Sequence, residues 1–211
     1  GIEVLRRSWS NDPVNFHGKQ FDVPDISVSP KPFQSEVPIW VAAVGPEPIK
    51  CAAKLGVSII LSDALTLDQL SEHIELYHKT AQEYDVDVSK AKMGVLRRGW
   101  VAETDDDAYQ NALKSLRFLL RDQLGGWRYL KDENGASVGF DTPDKLDAAA
   151  AKLVTVHERT IGRPEKVTRG LREIAATGCD HIIFGTRFDS LPRQKYLRSL
   201  ELLATEVIPN I

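Results

Sequence analysis

Cysteine is scarce: Cys51 and Cys179 are the only two in 211 residues. They lie far apart, so no disulfide framework is expected, and both read as buried, reduced thiols of a cytoplasmic α/β protein. Long apolar runs are missing too. None approaches the ~18 residues that a membrane span requires, which argues against a membrane protein. The stretch GIEVLRRSWSND at the amino end lacks the charge, apolar core and small residues of a secretory leader. Positive charge is not in excess: 27 Lys and Arg face 30 Asp and Glu, a formal net charge of -3. That argues against nucleic acid as a partner, since its binders carry a basic stripe. No CxxC, Walker or dinucleotide glycine pattern occurs, so a nucleotide kinase has no support. His17, His73, His78, His157 and His181 show no metal-ligand spacing, and no metal site is expected.

What is present is ordinary globular composition, 42% apolar and 27% charged, at a length that suits one domain with a real core. The first residues, Ile2, Val4, Leu5 and Trp9, read as turns of a helix. Residues 1–37 form a lead-in, rich in proline and polar residues, with one short hairpin expected around His17 and Gly18. From residue 38 a rhythm begins. IWVAA (39–43) is a short apolar run of the kind buried on both faces of a sheet. The helix EPIKCAAKL (47–55) follows and stops at Gly56. VSIIL (57–61) is a second buried strand. Thr66 and Gln69 then form a capping-box pattern. The helix behind it puts Leu67, Leu70, Ile74, Tyr77, Ala81 and Tyr84 on one face.

MGVLRRGWVA (93–102) reads as a third strand. Thr104 and three aspartates open a helix with Ala108, Ala112, Leu116, Leu119 and Leu120 inward. Gly125-Gly126 and residues 131–142 read as loop, and 143–156 as helix. Pro164 opens a helix ending at Gly178, with Val167, Leu171 and Ile174 inward. HIIF (181–184) is the fourth strand. A last helix, capped by Ser190, turns Leu197, Leu200, Leu203, Ala204 and Val207 inward. Residues 38–211 are therefore four βα units, which implies a parallel sheet with outer helices. A complete (β/α)8 barrel needs about 250 residues, and periodicity alone leaves half a barrel and an open sheet as alternatives.

Several segments, in order, resemble one family. PIWVAAVGPEPIKCAAKLGVSIILSD, IELYHKTAQEY, VSPKPFQ, IGRPEKV, ATGCDHIIFG and LELLATEVIP are similar to the second half of bacterial-luciferase-like flavin-dependent monooxygenases. The resemblance implies an α/β fold, the C-terminal half of a (β/α)8 TIM barrel. It implies an enzyme that oxygenates a small organic substrate with reduced FMN and O2. The alternatives are a deazaflavin-dependent oxidoreductase of the same superfamily, or a non-catalytic flavin-binding half-barrel that needs a partner. The resemblance also implies that the family's first four strands, with a histidine and an arginine important for oxygen chemistry, have no counterpart here. The chain alone is then expected to be inactive, and to dimerise or associate with an N-terminal half-barrel.

Barrel enzymes work at the carboxyl ends of their strands. Ala43, Val44 and Gly45 form a turn into a helix amino terminus, where backbone N–H groups suit a phosphate. The resemblance makes this the FMN phosphate turn, with Gly45 where the family often has a serine. It also puts Ser62 and Asp63 near the flavin. Arg98 and Trp100 are expected on one side of the third strand and Arg97 on the other. The resemblance makes residues 140–161 a mobile lid; their composition fits either a lid or a packed helix. No catalytic residue is assigned.

Overall fold

The computed structural model describes residues 1–10, 13–124, 142–186 and 191–211. The chain divides into two compact units, Gly1–Ile39 and Trp40–Ile211. In the first, helix α1 (Ile2–Ser8) precedes an antiparallel hairpin of β1 (Val14–His17) and β2 (Asp22–Ile26). The hairpin expected at His17 and Gly18 is thus present. α1 buries none of its residues.

The second unit begins with β3 (Trp40–Ala43), α2 (Pro46–Lys54), β4 (Ser58–Leu61), α3 (Leu67–Glu83) and β5 (Met93–Arg98). Then come β6 (Trp100–Val101), α4 (Asp105–Phe118), α5 (Pro143–Val156), β7 (Ile161–Gly162), α6 (Pro164–Ala175), β8 (His181–Gly185) and α7 (Arg193–Leu202). The main sheet has the order β3-β4-β5-β8, and every pairing in it is parallel. The four strands and their helices make the C-terminal half of a (β/α)8 barrel, as the sequence pattern together with the resemblance implied.

Local chemistry explains most boundaries. The Thr66 hydroxyl accepts from the Gln69 N–H, while the Gln69 side chain accepts from the Thr66 N–H, so the capping box at α3 is complete. The Thr104 hydroxyl caps α4 by accepting from the Asp107 N–H. Tyr77 anchors α3 to the sheet by donating its buried hydroxyl to the Val57 carbonyl at 2.8 Å. Burial pushes that phenol up to about 12.

At the amino ends of the strands, Asp180 accepts from the Met93 N–H at 2.8 Å, and Ser58 accepts from the Lys92 N–H at 3.0 Å. The Cys179 thiol is buried there and donates to the Met93 carbonyl. Cys51, by contrast, is exposed on α2, against the expectation that both thiols are buried. It points away from the stripe of Ile49, Ala52 and Ala53 that α2 buries.

Three further expectations are corrected. The third strand does not run from 93 to 102 unbroken. It is interrupted at Gly99, where a Cβ would lie 2.0 Å from the Phe184 ring, so glycine makes room for that ring. Beyond Gly99, β6 pairs with β7 rather than with the main sheet. Tyr84 lies on the surface, where its ring covers the Lys54 ammonium at 4.1 Å. The last helix starts at Arg193, with Pro192 as its N-cap. It buries Ser199 and Leu202 and leaves Leu197 exposed; in the turns that follow it, Val207 is buried and Ala204 exposed. The Ser199 hydroxyl accounts for the shifted face, because it accepts from the Val101 N–H inside the core. The cap expected at Ser190 and the loop at 125–126 and 131–141 lie outside the described residues.

Candidate functional site

Strand register settles which side chains share a face. Ala42 pairs with Ile60, Ile60 with Gly94, Leu96 with Ile183, and Arg98 with Gly185. Paired residues in a parallel ladder point the same way. One face of the sheet therefore carries Ala42, Ile60, Leu96, Ile183 and, at its carboxyl end, Arg98. The opposite face carries Ala43, Ile59, Leu61, Val95 and Arg97.

The two faces differ sharply in cover. Ile59 is 0% exposed and Ile183 is 45% exposed. Ala43, Leu61 and Val95 are buried, whereas Ala42 is exposed and Ile60 and Leu96 are half-buried. The helices cover the first group. The second forms an open apolar platform, with Trp40 at its amino-terminal end. A Cβ at Gly94 would lie 2.9 Å from the Trp40 ring, so glycine makes room for the indole on that face.

The carboxyl rim of this platform holds the residues singled out from sequence. Ala43 is buried at the end of β3, and Val44 is exposed beyond it. Gly45 is the N-cap of α2, with φ 85 and ψ 176. That conformation belongs almost entirely to glycine, so a serine at this place would be strained. The glycine is there for its backbone, which explains the absence of the hydroxyl that the family often has. A Cβ on it would meet nothing within 4 Å, so the turn is open to a ligand. Pro46 and Pro48 occupy the first and third positions of α2. Only Glu47 offers an N–H among those three. The cradle fits a phosphate, with a thin set of donors.

On the next strand, Ser62 and Asp63 follow β4 directly. The Ser62 hydroxyl accepts from the Ala64 N–H at 3.3 Å. Asp63 is held twice. Its carboxylate accepts from Arg98 Nε at 3.2 Å. Its backbone carbonyl accepts from the Arg97 guanidinium at 2.5 Å, and Arg97 also donates to the Leu65 carbonyl at 2.6 Å. Thus Arg97, 4% exposed on the helix side, clamps the loop, while Arg98 grips its side chain on the open side. Burial lowers the basicity of Arg97, and the neighbouring Asp63 partly opposes that.

The residue that sequence reasoning missed is His157. It lies just after α5, is 2% exposed, and its Nδ1 has no hydrogen-bond partner among the described residues. Burial drives its imidazole down to about 4; Arg97 and Arg98 push the same way, against Asp63. Its carbonyl accepts from the Thr160 hydroxyl, which also donates to the Arg98 carbonyl at 2.6 Å. His157 and Arg97 border a cavity of 370 Å³ on the helix-covered side, with Leu65, Thr66 and Thr160. Histidine at a helix end carries no pattern that would have revealed this. Helix α5 itself packs on α4 through Leu146, Ala150 and Val154 and an Arg117–Asp147 ion pair at 2.6 Å. Within 142–161, Leu146, Ala150, Val154, His157, Thr160 and Ile161 are buried; 140–141 lie outside the described residues.

Comparison with known proteins agrees with this architecture. Residues 2–181 match the family described as luciferase-like monooxygenase. The oxygenase component of the flavin-dependent trigonelline monooxygenase of Acinetobacter baylyi is 26% identical, over 99% of this chain and 58% of its own length. An F420-dependent glucose-6-phosphate dehydrogenase of Amycolatopsis mediterranei is 22% identical, over 100% of this chain and 59% of its own. Among solved structures, monooxygenase RslO1 from Streptomyces bottropensis superposes with a TM-score of 0.76 at 17% identity. That match covers 99% of this chain and 59% of the other. The chain thus spans less than two thirds of the relatives it matches.

Proposed function

The chain belongs to the luciferase-like monooxygenase family, and on that premise we propose that its half-barrel supplies one side of the site of a flavin-dependent monooxygenase. Reduced FMN, when bound, supplies the chemistry that activates O2 toward a small organic substrate. The chain's own part is binding, orientation and exclusion of water. Ala43, Val44 and Gly45, with the Glu47 N–H, receive the phosphate. Ser62 and Asp63 border the ring, and Ile60, Leu96 and Ile183 give it an apolar floor.

The observation that supports this reading is the unequal cover of the sheet. An apolar face with Ile183 45% exposed ends in a rim of open turn, carboxylate and guanidinium, as a cofactor platform requires. β3 and β8 form the sheet edges and pair with nothing further among the described residues. Such edges and such a face favour association with a complementary N-terminal half-barrel or a second copy. The chain alone then lacks turnover.

A second reading is a deazaflavin-dependent oxidoreductase, which the glucose-6-phosphate dehydrogenase relative favours. Equilibrium dialysis against FMN and against the deazaflavin, read by visible absorbance, separates the two. The expected result is retention of FMN, with uptake of O2 in the presence of reduced FMN only once a complementary half-barrel is added. Retention of the deazaflavin alone would transfer the proposal to the second reading. Retention of neither would leave only an assembly role.

A further inference from the structure

Arg98 has more binding capacity than its ion pair uses. Asp63 takes one nitrogen, Nε, at 3.2 Å, and among the described residues the two terminal nitrogens have no partner. The side chain is 24% exposed, so most of it is already out of water. Its stem lies beside Leu96 and Gly185: a Cβ at Gly185 would sit 3.6 Å from Arg98 Cδ and from a Leu96 methyl. The guanidinium thus stands at the carboxyl rim of the apolar platform, and its direction is fixed. Asp63 holds Nε, and Arg97 holds the backbone of Asp63. What remains is the edge formed by the two terminal nitrogens, a pair of parallel donors matched to the two oxygens of an oxyanion.

We propose that Arg98 is a specificity-determining residue that selects small organic substrates carrying an oxyanion, such as a carboxylate. The substrate lies at the carboxyl rim beside the cofactor, and its anionic head meets the free edge of Arg98. This assignment rests on the reading of the open face as the cofactor and substrate platform. Asp63 then acts as a positioning residue. It orients the guanidinium and also attenuates its charge, so its removal strengthens anion binding even though it breaks the pair.

That last point gives a test that a structural salt bridge would not pass. Benzoate and its neutral counterpart benzamide are titrated into the full chain and followed by NMR of the arginine side-chain N–H groups and the isoleucine methyl groups. Benzoate is expected to shift Arg98 and Ile183 and to bind about tenfold more tightly than benzamide, as one charge-assisted contact allows. Arg98→Gln is expected to erase that preference, and Arg98→Lys to keep part of it. Asp63→Asn is expected to raise benzoate affinity a few-fold. If Arg98→Gln and Asp63→Asn changed binding in the same direction, the pair would be structural and the proposal would fail. Equal binding of benzoate and benzamide would also overturn it. Inorganic phosphate and FMN provide the remaining arms. If phosphate displaced benzoate from Arg98 and FMN did so too, the arginine would seat the cofactor phosphate, against this assignment. Binding of FMN on the platform without benzoate binding sinks this inference alone. Benzoate binding at Arg98 without any FMN effect on the platform sinks the cofactor reading instead.

Discussion

Ile59 and Ile60 are neighbours of identical chemistry with opposite fates, and so are Arg97 and Arg98. Ile59 and Arg97 face the helices, where Ile59 is fully buried and the arginine spends its donors on two loop carbonyls. Ile60 and Arg98 face the open side, where the isoleucine is half-covered and the arginine keeps two terminal nitrogens free of partners among the described residues. The difference teaches that one sheet serves two purposes. Its helix side holds the unit together, and its open side is available to a ligand or to another part of a barrel.

The widest separation should come from isoleucines. Ile59→Ala should cost about 2–5 kcal/mol in urea unfolding, the price of a cavity in a packed core. Ile183→Ala on the open face should cost no more than about 0.5 kcal/mol, as an ordinary surface change does. Equal losses would mean that the open face is packed in solution. The arginines should separate next. Arg97→Met leaves the Asp63 and Leu65 carbonyls without their donor and should cost about 2–4 kcal/mol. Arg98→Gln removes one partly exposed ion pair and should cost less than about 1 kcal/mol. Their order reversed would show that the clamp lies on the other side.

His157 extends the comparison to pH. Its folded value of about 4 lies below the ordinary 6.5, so below pH 6.5 the unfolded chain takes up a proton that the folded chain refuses. Stability is therefore full above pH 6.5 and falls by ~3 kcal/mol as pH drops toward 4. His157→Gln should remove that slope in denaturation curves recorded across this range. A slope that survives the substitution would assign it to other groups. The last contrast belongs to the rim. Gly45→Ser should lower stability by about 1–3 kcal/mol, because φ 85 with ψ 176 suits only glycine. FMN affinity, measured by dialysis, should not rise with it. A clear gain in affinity would show that the turn relaxes to accept the hydroxyl.

Much of the fold was legible because its signals are local. The capping box at Thr66 and Gln69, the aspartates after Thr104 and Pro164 at the start of α6 fix helix starts without reference to the rest of the chain. The break at Gly99 was not legible, since it depends on the Phe184 ring from a distant strand. The exposed face of the last helix was misjudged for a similar reason. Ser199 looks like a surface residue until its bond to the Val101 N–H is known. At the candidate site, alternation correctly put Arg97 and Arg98 on opposite sides but not Trp100, which follows the interruption at Gly99 and joins the core of α4. Alternation also carries no information on which side the helices cover. Gly45 showed the opposite limit. Its residue type was visible, but only its dihedral angles explain why serine does not stand there.

The central claim, that the open face is the ligand-binding face, can be read from three isoleucines at once. FMN is titrated into the chain labelled at isoleucine δ1 methyl groups, and their NMR positions are followed. The account predicts that Ile60 and Ile183 shift as the ring settles over them, while Ile59, one residue from Ile60 but on the helix side, stays in place. Movement of Ile59 with Ile60 and Ile183 unchanged would contradict it.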